Sequence, residues 1–340
     1  MITRGLVDIQ VNGFAGVDFN DANITSGALD HALEAMLATG VTTCLPTIIT
    51  AYPEELEARF AALDKAVQNS RLGPLMCPGY HLEGPFLNPA PGFCGCHPAN
   101  AMIEADAALV SYLQGLIERP ILLTTIAPEV TGGLDFIKAM RAENRLVSIG
   151  HSSANHDMIA AAATAGAGLS THLGNGLPQV LPKLDNPLFA QLAEDRLLAT
   201  FIADGIHIPP HALKALMRAK GLDRSALVTD AVAAARAPTG IYDFAGMRVE
   251  RSSGGTVSQS GVDGLAGSAL CMDDAVRNLV RWNIATFEQA IAMASTRLLA
   301  VLAPALQAHG TIMAETQVEW SETMTVRRVR VGNEQRVFER

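Results

Sequence analysis

Residues 146–176 read LVSIGHSSANHDMIAAAATAGAGLSTHLGNG, and the fold is decided here. An apolar run from Leu146 to Gly150 is followed directly by His151. An Ala-rich segment, Ala154 to Ala165, comes next, and a second apolar run, Gly168 to Leu173, carries His172 near its end. Short apolar run, helix-length segment, short apolar run is the alternation of parallel strands joined by a helix. It also sets one histidine at the C-terminal end of each of two adjacent strands.

The same alternation runs outward through the chain. Further strands are expected at Leu6 to Val11, Val41 to Ile49, Gly79 to Glu83, Ile121 to Thr125, Ala199 to Ala203 and Ala226 to Thr229, which makes eight. Helices are expected at Ser26 to Ala38, Pro53 to Gln68, Glu104 to Ile117, Gly133 to Glu143, Ala154 to Ala165, Pro187 to Ala193, Pro210 to Lys220, Ser268 to Trp282 and Thr286 to Leu302. An open doubly wound sheet shares this alternation. The polar residues at the strand ends favour a (β/α)8 TIM-type barrel, because only a barrel makes the ends of different strands converge on one site. Those ends carry Gln10 and Asn12, Glu83, His151, His172, Asp204 and His207, and Asp230. Residues 5–305 are therefore assigned to the barrel, with 241–260, Gly/Ser-rich, as a β-rich insertion. Residues 306–340, with a few N-terminal residues, are expected to form a small β-sandwich-like subdomain.

Composition excludes other classes. Of 340 residues only 17% are charged and 49% are hydrophobic, and 25 Lys plus Arg against 34 Asp plus Glu give a net charge of −9. General nucleic-acid binding rests on cations that neutralise phosphates, so it is not expected. The longest near-apolar stretch, Met158 to Ala163, is too short for a membrane span, and the N-terminus shows no secretory pattern. Five cysteines, Cys44, Cys77, Cys94, Cys96 and Cys271, are odd in number and scattered, as buried free thiols would be. A cytoplasmic, reducing location is expected.

Four segments carry chemistry: HLEGPF (81–86), SIGHSS (148–153), STHLGNG (170–176) and LVTDAVA (227–233). A carboxylate and two neutral imidazoles form a known catalytic zinc set with a position left open for water or substrate. Zn2+ suits it, and the ligand types also admit Fe2+, Co2+ or Mn2+. Asp230, across the mouth, is placed to accept a proton from water and pass it to a leaving group. The plainer readings are a strand-end Glu83, structural histidines, and Asp230 as a helix N-cap; none explains why the four should meet. Cys94, Cys96 and His97 could suggest a second metal site, but no matching pair lies elsewhere, and a loop over the mouth that delivers His97 is the better reading.

In order along the chain, GLVDIQVNG, HLEGPF, IGHSSA, THLGNGLP, ADGIHI, LVTDA and GLAGSALCMDDAVRNLV resemble the N-acetylglucosamine-6-phosphate deacetylase family of the amidohydrolase superfamily. The resemblance runs from about residue 5 to residue 300. It implies a metal-dependent hydrolase acting on a linear amide C–N bond, with Glu83, His151 and His172 as metal ligands and Asp230 as acid/base. It further implies that His97 polarises the acetyl carbonyl, that His207, Asn175 and the Gly176 backbone contact the sugar or its phosphate, and that the enzyme is a homodimer. Many amidohydrolases carry His-x-His on the first strand for a second metal. Here the place reads Gln10-Val11-Asn12, so one divalent metal per site is expected, with Gln10 and Asn12 counted among the substrate contacts. Where the family has an Arg on the 6-phosphate this chain has Lys183, a point charge without the guanidinium fork; Arg236 is a second candidate. The alternatives are deacylation of another N-acyl compound, such as an unphosphorylated amino sugar, and a non-catalytic sugar-binding relic.

Overall fold

The computed structural model describes residues 1–259 and 264–338. Ser260, at the end of the expected insertion, and Glu339 and Arg340 of the expected tail lie outside the described residues. All eight expected strands are present: β1 (Leu6–Val11), β2 (Val41–Ile49), β3 (Tyr80–Glu83), β4 (Ile121–Ile126), β5 (Leu146–Ile149), β6 (Leu169–Ser170), β7 (Leu198–Phe201) and β8 (Ser225–Leu227). They hydrogen-bond in chain order from β1 to β8, every pair parallel. Just past β8 the chain returns to β1. The Asp230 amide donates to the Gln10 carbonyl at 2.9 Å, and the Asn12 amide donates to the Ala231 carbonyl at 2.7 Å. This closure distinguishes the barrel from an open sheet.

β1, β2 and β4 are buried at every residue, as parallel strands must be when helices cover one face and packed side chains fill the other. β6 is shorter than its apolar run because the backbone turns at His172, where φ is +30°; Leu173 still donates to Thr200 at 2.8 Å. Helices begin where the sequence supplies a cap. Thr25, Asp106, Asn155 and Asn186 each accept a first-turn amide with the side chain.

The last expected helix is two helices, Phe287–Ala294 and Thr296–Ala308, broken at Ser295. Together they cover 22 residues apolar enough to cross a membrane by length and composition. This stretch exceeds the Met158–Ala163 run because only isolated polar residues interrupt it. Ala290, Leu298 and Leu302 are nevertheless buried in the barrel's main core.

Among the described residues three antiparallel sheets accompany the barrel, the smallest being the pair Gly13–Phe14 and Val17–Asp18 just after β1. After β8, β9 (Gly240–Phe244), β10 (Met247–Arg251) and β11 (Val257–Gln259) form a three-stranded sheet. Its Phe244, Val249 and Val257 pack with Ile49, Val232, Ala234 and Ala266 in an apolar cluster separate from the main core. At the other end of the chain, Ile2–Thr3 pairs with β12 (Thr316–Trp320), which continues through β13 (Val326–Val331) to β14 (Glu334–Val337).

One buried carboxyl ties the closure together. Asp8 accepts from the Thr229 hydroxyl and from the amides of Thr229 and Gln10. Burial pushes it up to about 7, against the opposing effect of those hydrogen bonds. A folded-state value above the unfolded one means that the native state keeps a proton the unfolded chain has lost, so this contribution to stability declines as pH rises from about 4 through about 7. Thermal melts of wild type and Asp8→Asn should therefore show a Tm gap that shrinks by a few degrees between pH 5 and pH 8, the asparagine having no proton to lose. A gap of constant size would show that Asp8 is ionised throughout.

Candidate active site

The ends of β1, β3, β5, β6, β7 and β8 meet at a cavity of about 420 Å³ whose walls include Asn12, Glu83, His97, His151, His172, Asn175, Gly176, His207 and Asp230. Glu83 is the last residue of β3 and is 1% exposed. Its Oε1 receives the Gln10 Nε2 at 3.0 Å and faces His172 Nε2 at 3.2 Å and His151 Nε2 at 3.5 Å. Burial opposes charge on Glu83, but the histidines facing it hold its carboxyl well below the usual range. The effect of Glu83 on His172 is reciprocal: burial disfavours its cation, yet the carboxylate raises it.

His151, His172 and Asp230 all have left-handed backbones, with φ of +51°, +30° and +51°. Such conformations cost non-glycine residues of order 1–3 kcal/mol and persist only where the surroundings enforce them. No helix follows Asp230: Ala231 bridges to Val11 and to Ser268 instead. The N-cap explanation of that aspartate therefore falls away. Asp230 accepts from Asn12 Nδ2 at 2.7 Å and Gln10 Nε2 at 3.3 Å, and burial with the nearby Glu83 charge pushes it up to about 6.

The donor set can be tested for a cation from one imidazole. His151 Nδ1 lies 2.7 Å from the Phe93 carbonyl, which can only accept, so in the neutral ring Nδ1 carries the hydrogen. Nε2 then presents a lone pair toward Glu83, and although buried it has no hydrogen-bond partner among the described residues. A lone pair facing a carboxylate is relieved when a cation lies between them, so the residues fit a divalent metal. His97 turns into the same place: one ligand atom each from Glu83, His97 and His151 lie within 4.8 Å of one another. Its Nδ1 is 2.8 Å from Thr50 Oγ1, and burial lowers it to about 3, which keeps it neutral.

Other expected contacts divide. His207 lines the cavity with Nδ1 2.6 Å from Asp204. Gln10 is not on the wall; its amide lies beneath, committed to the two carboxylates. Lys183 and Arg236 are exposed and do not line the cavity. Counting from the Asn-Gly step puts Lys183 near the site and Arg236 follows Asp230 closely, but the chain leaves the cavity wall after Gln179, and Arg236 turns toward Cys271 and Asp273. Among the cavity residues that sequence reasoning did not reach are Ile49, Gln179, Phe244, Gln259 and Leu265. Phe244 and Gln259 lie in the insertion, whose register no motif reveals.

Comparison with known proteins places this geometry. No family profile matches the chain. The N-acetylgalactosamine-6-phosphate deacetylase of Escherichia coli O157:H7 is 35% identical over 87% of this chain and 76% of its own length. The N-acetylglucosamine-6-phosphate deacetylases of Vibrio furnissii and Bos taurus are 32% and 34% identical, over 86% and 87% of this chain and 71% and 73% of theirs. Among solved structures, the N-acetylglucosamine-6-phosphate deacetylase from Pasteurella multocida superposes with a TM-score of 0.85 at 26% identity, covering 99% of this chain and 86% of that one. A mutant of the Mycobacterium smegmatis enzyme, in complex with N-acetyl-D-glucosamine-6-phosphate, gives 0.83 at 26% identity over 98% and 86%.

Two glycines hold His151 in place. Gly95 and Gly176 have φ of +57° and +61°, and a Cβ on Gly176 would lie 2.8 Å from His151 Nδ1. Gly176→Ala should fold but turn the imidazole, weakening divalent-cation binding by about tenfold or more in Zn2+ titration calorimetry. Unchanged affinity would mean that the loop yields and His151 does not.

Proposed function

The chain belongs to the N-acetylglucosamine-6-phosphate deacetylase family, and from that premise we propose that it hydrolyses N-acetylglucosamine 6-phosphate to glucosamine 6-phosphate and acetate. The observation that carries this reading is the convergence of Glu83, His97, His151, His172 and Asp230 on one cavity at the C-terminal mouth of the barrel. One divalent cation, Zn2+ by ligand type, is assigned to Glu83, His151 and His172. When bound it supplies Lewis-acid polarisation of the amide carbonyl and makes water a better nucleophile at neutral pH. The Gln10 amide donates to both Glu83 and Asp230, where a His-x-His pair would hold a second metal; this supports a single cation per site.

The remaining steps belong to the chain. Asp230 accepts the proton of the water that attacks the carbonyl carbon, and Asn12 keeps its carboxylate oriented. With Nδ1 assigned as the acceptor facing the Thr50 hydroxyl at 2.8 Å, neutral His97 carries its hydrogen on Nε2 and can donate it to the developing oxyanion. Asp230 then returns the proton to the amine as the C–N bond breaks. His207 and the Asn175–Gly176 turn, on the far wall, are assigned to the sugar and its phosphate. The E. coli relative's galacto substrate supports a second reading, in which the other epimer is also accepted. Val180, Leu184 and Phe189, exposed on the segment that carries Lys183, support assembly as a homodimer.

Asp230→Asn should retain its metal and lose about 10²-fold or more in kcat; near-normal turnover would remove Asp230 from the reaction. Glu83→Gln should instead lose metal by elemental analysis. The substrate assignment is tested by kcat/KM on both N-acetylhexosamines with and without the 6-phosphate. Wild type should favour the phosphorylated gluco epimer by at least tenfold, and His207→Ala should narrow that preference. A wild type indifferent to phosphate would point to another N-acyl substrate. If Lys183→Ala also narrows the preference, while sedimentation shows a dimer, the lysine reaches the site of a neighbouring copy.

A further inference from the structure

We propose that Ile49, Phe244 and Ala266 form an acyl pocket that restricts the enzyme to acetyl groups, with Phe244, supplied by the insertion after β8, as its end wall. The inference rests on the deacetylase reading and specifies which acyl group that site accepts. It starts from the lining of the cavity. Asn175, Gly176 and His207 are among the residues that line it, and so are the apolar Ile49, Phe244 and Ala266.

Topology sets these two groups apart. In a closed barrel of eight strands in chain order, β2 and β6 are four places apart and so lie across the mouth from each other. Ile49 ends β2, in register with Glu83 of β3, while Asn175 and Gly176 follow β6. Phe244 and Ala266 come after β8, beside the closure with β1, and they share one apolar cluster with Ile49. The apolar residues thus form a patch that reaches from the insertion to β2 and ends beside Glu83, with the polar ends of β8 and β1, Asp230 and Asn12, lining the same stretch of the mouth.

A substrate amide has two arms at its reacting carbonyl. With that carbonyl at the Glu83, His97 and His151 group, the nitrogen arm bears the hydroxyls and phosphate and needs the polar arc of β6 and β7. The acyl arm is left facing Ile49, Phe244 and Ala266, where a methyl loses nothing by leaving water.

The end wall is also held rigidly. Phe244 is 1% exposed. It precedes a hairpin turn pinned to the barrel on both sides of its peptide: the Ala245 amide donates to the Asp18 carboxylate at 2.6 Å, and Arg59 donates to the Ala245 carbonyl at 3.3 Å. Asp18 and Arg59 lie on elements near β1 and on the helix after β2, so the insertion cannot drift from the strands that carry Ile49 and Glu83. A rigid, filled wall resists an added methylene more strongly than a pliable one.

The test compares kcat/KM for the N-acetyl, N-propionyl and N-butyryl derivatives of glucosamine 6-phosphate in wild type, Phe244→Ala and Phe244→Leu. Wild type should lose about tenfold or more from acetyl to butyryl. Phe244→Ala should raise the butyryl-to-acetyl ratio by about tenfold, with Phe244→Leu between them. A general disturbance of the fold would lower all three substrates together and leave that ratio alone. A ratio unchanged in both variants, or a wild type that takes butyryl as readily as acetyl, overturns the pocket. If Phe244→Ala fails to fold, Phe244→Leu carries the comparison by itself. If wild type cleaves none of the three, the deacetylase reading fails, which is a separate result from an unchanged ratio.

Discussion

Glu83 is an ionised carboxylate almost wholly removed from water, and such a group is tolerated only when its charge is answered locally. Here the answer comes from Gln10 on β1 and His172 after β6, while His151 after β5 turns a lone pair to the same place, where a cation would lie, so distant strands are drawn to one oxygen atom. The left-handed backbones at His151, His172 and Asp230 follow from the same demand, because each chain must turn at a strand end to bring its side chain over the mouth. Those strained turns are held by what surrounds them. Gly95 and Gly176 leave room beside His151, the Phe93 carbonyl fixes its tautomer, and the closure of β8 on β1 fixes Asp230. A cation at this place would draw on the His151 lone pair that now faces the carboxylate.

Much of this was legible in the sequence because the physics is local. A strand buried on both faces must be apolar nearly throughout, so a polar residue at its end stands out, as Glu83, His151, His172 and Asp230 do. Closure of the barrel is what makes them meet, and it follows from the same count of strands. What the sequence could not reveal depends on direction. Lys183 lies eleven residues after His172 in the chain, but nothing in that interval says whether the segment turns inward or runs over the surface. Arg236, six residues after Asp230, is open to the same ambiguity. Gln10 stands out in the sequence as a departure from His-x-His, yet its position below the cavity, between two carboxylates, is a three-dimensional fact. The break at Ser295 is likewise invisible, since Ala, Leu and Met continue on both sides of it.

The insertion shows where sequence reading is weakest and function most adjustable. Its turn-rich composition predicts hairpins, and hairpins formed, but which face packs inward depends on a register set by contacts with Asp18 and Arg59 far away in the chain. Through those contacts Phe244 becomes part of the reaction chamber without belonging to any strand of the barrel.

The cavity therefore draws on parts of the chain under different constraints. The strand ends that surround Glu83 answer a buried charge, and nearly any change there leaves a polar group unpaired. The insertion wall packs apolar atoms against apolar atoms, where a change of size alters which acyl group fits without unpairing anything. The turn after β6 is the part we propose to face the polar arm of the substrate. A net charge of −9 gives a phosphate no long-range attraction, so any preference for it must arise from short-range contacts at that turn and at His207. Barrels separate chemistry from selection in this way because catalytic groups ride on strands that cannot move, while loops supply the surfaces that choose the substrate. In this chain the separation is visible as two kinds of wall around one carboxylate.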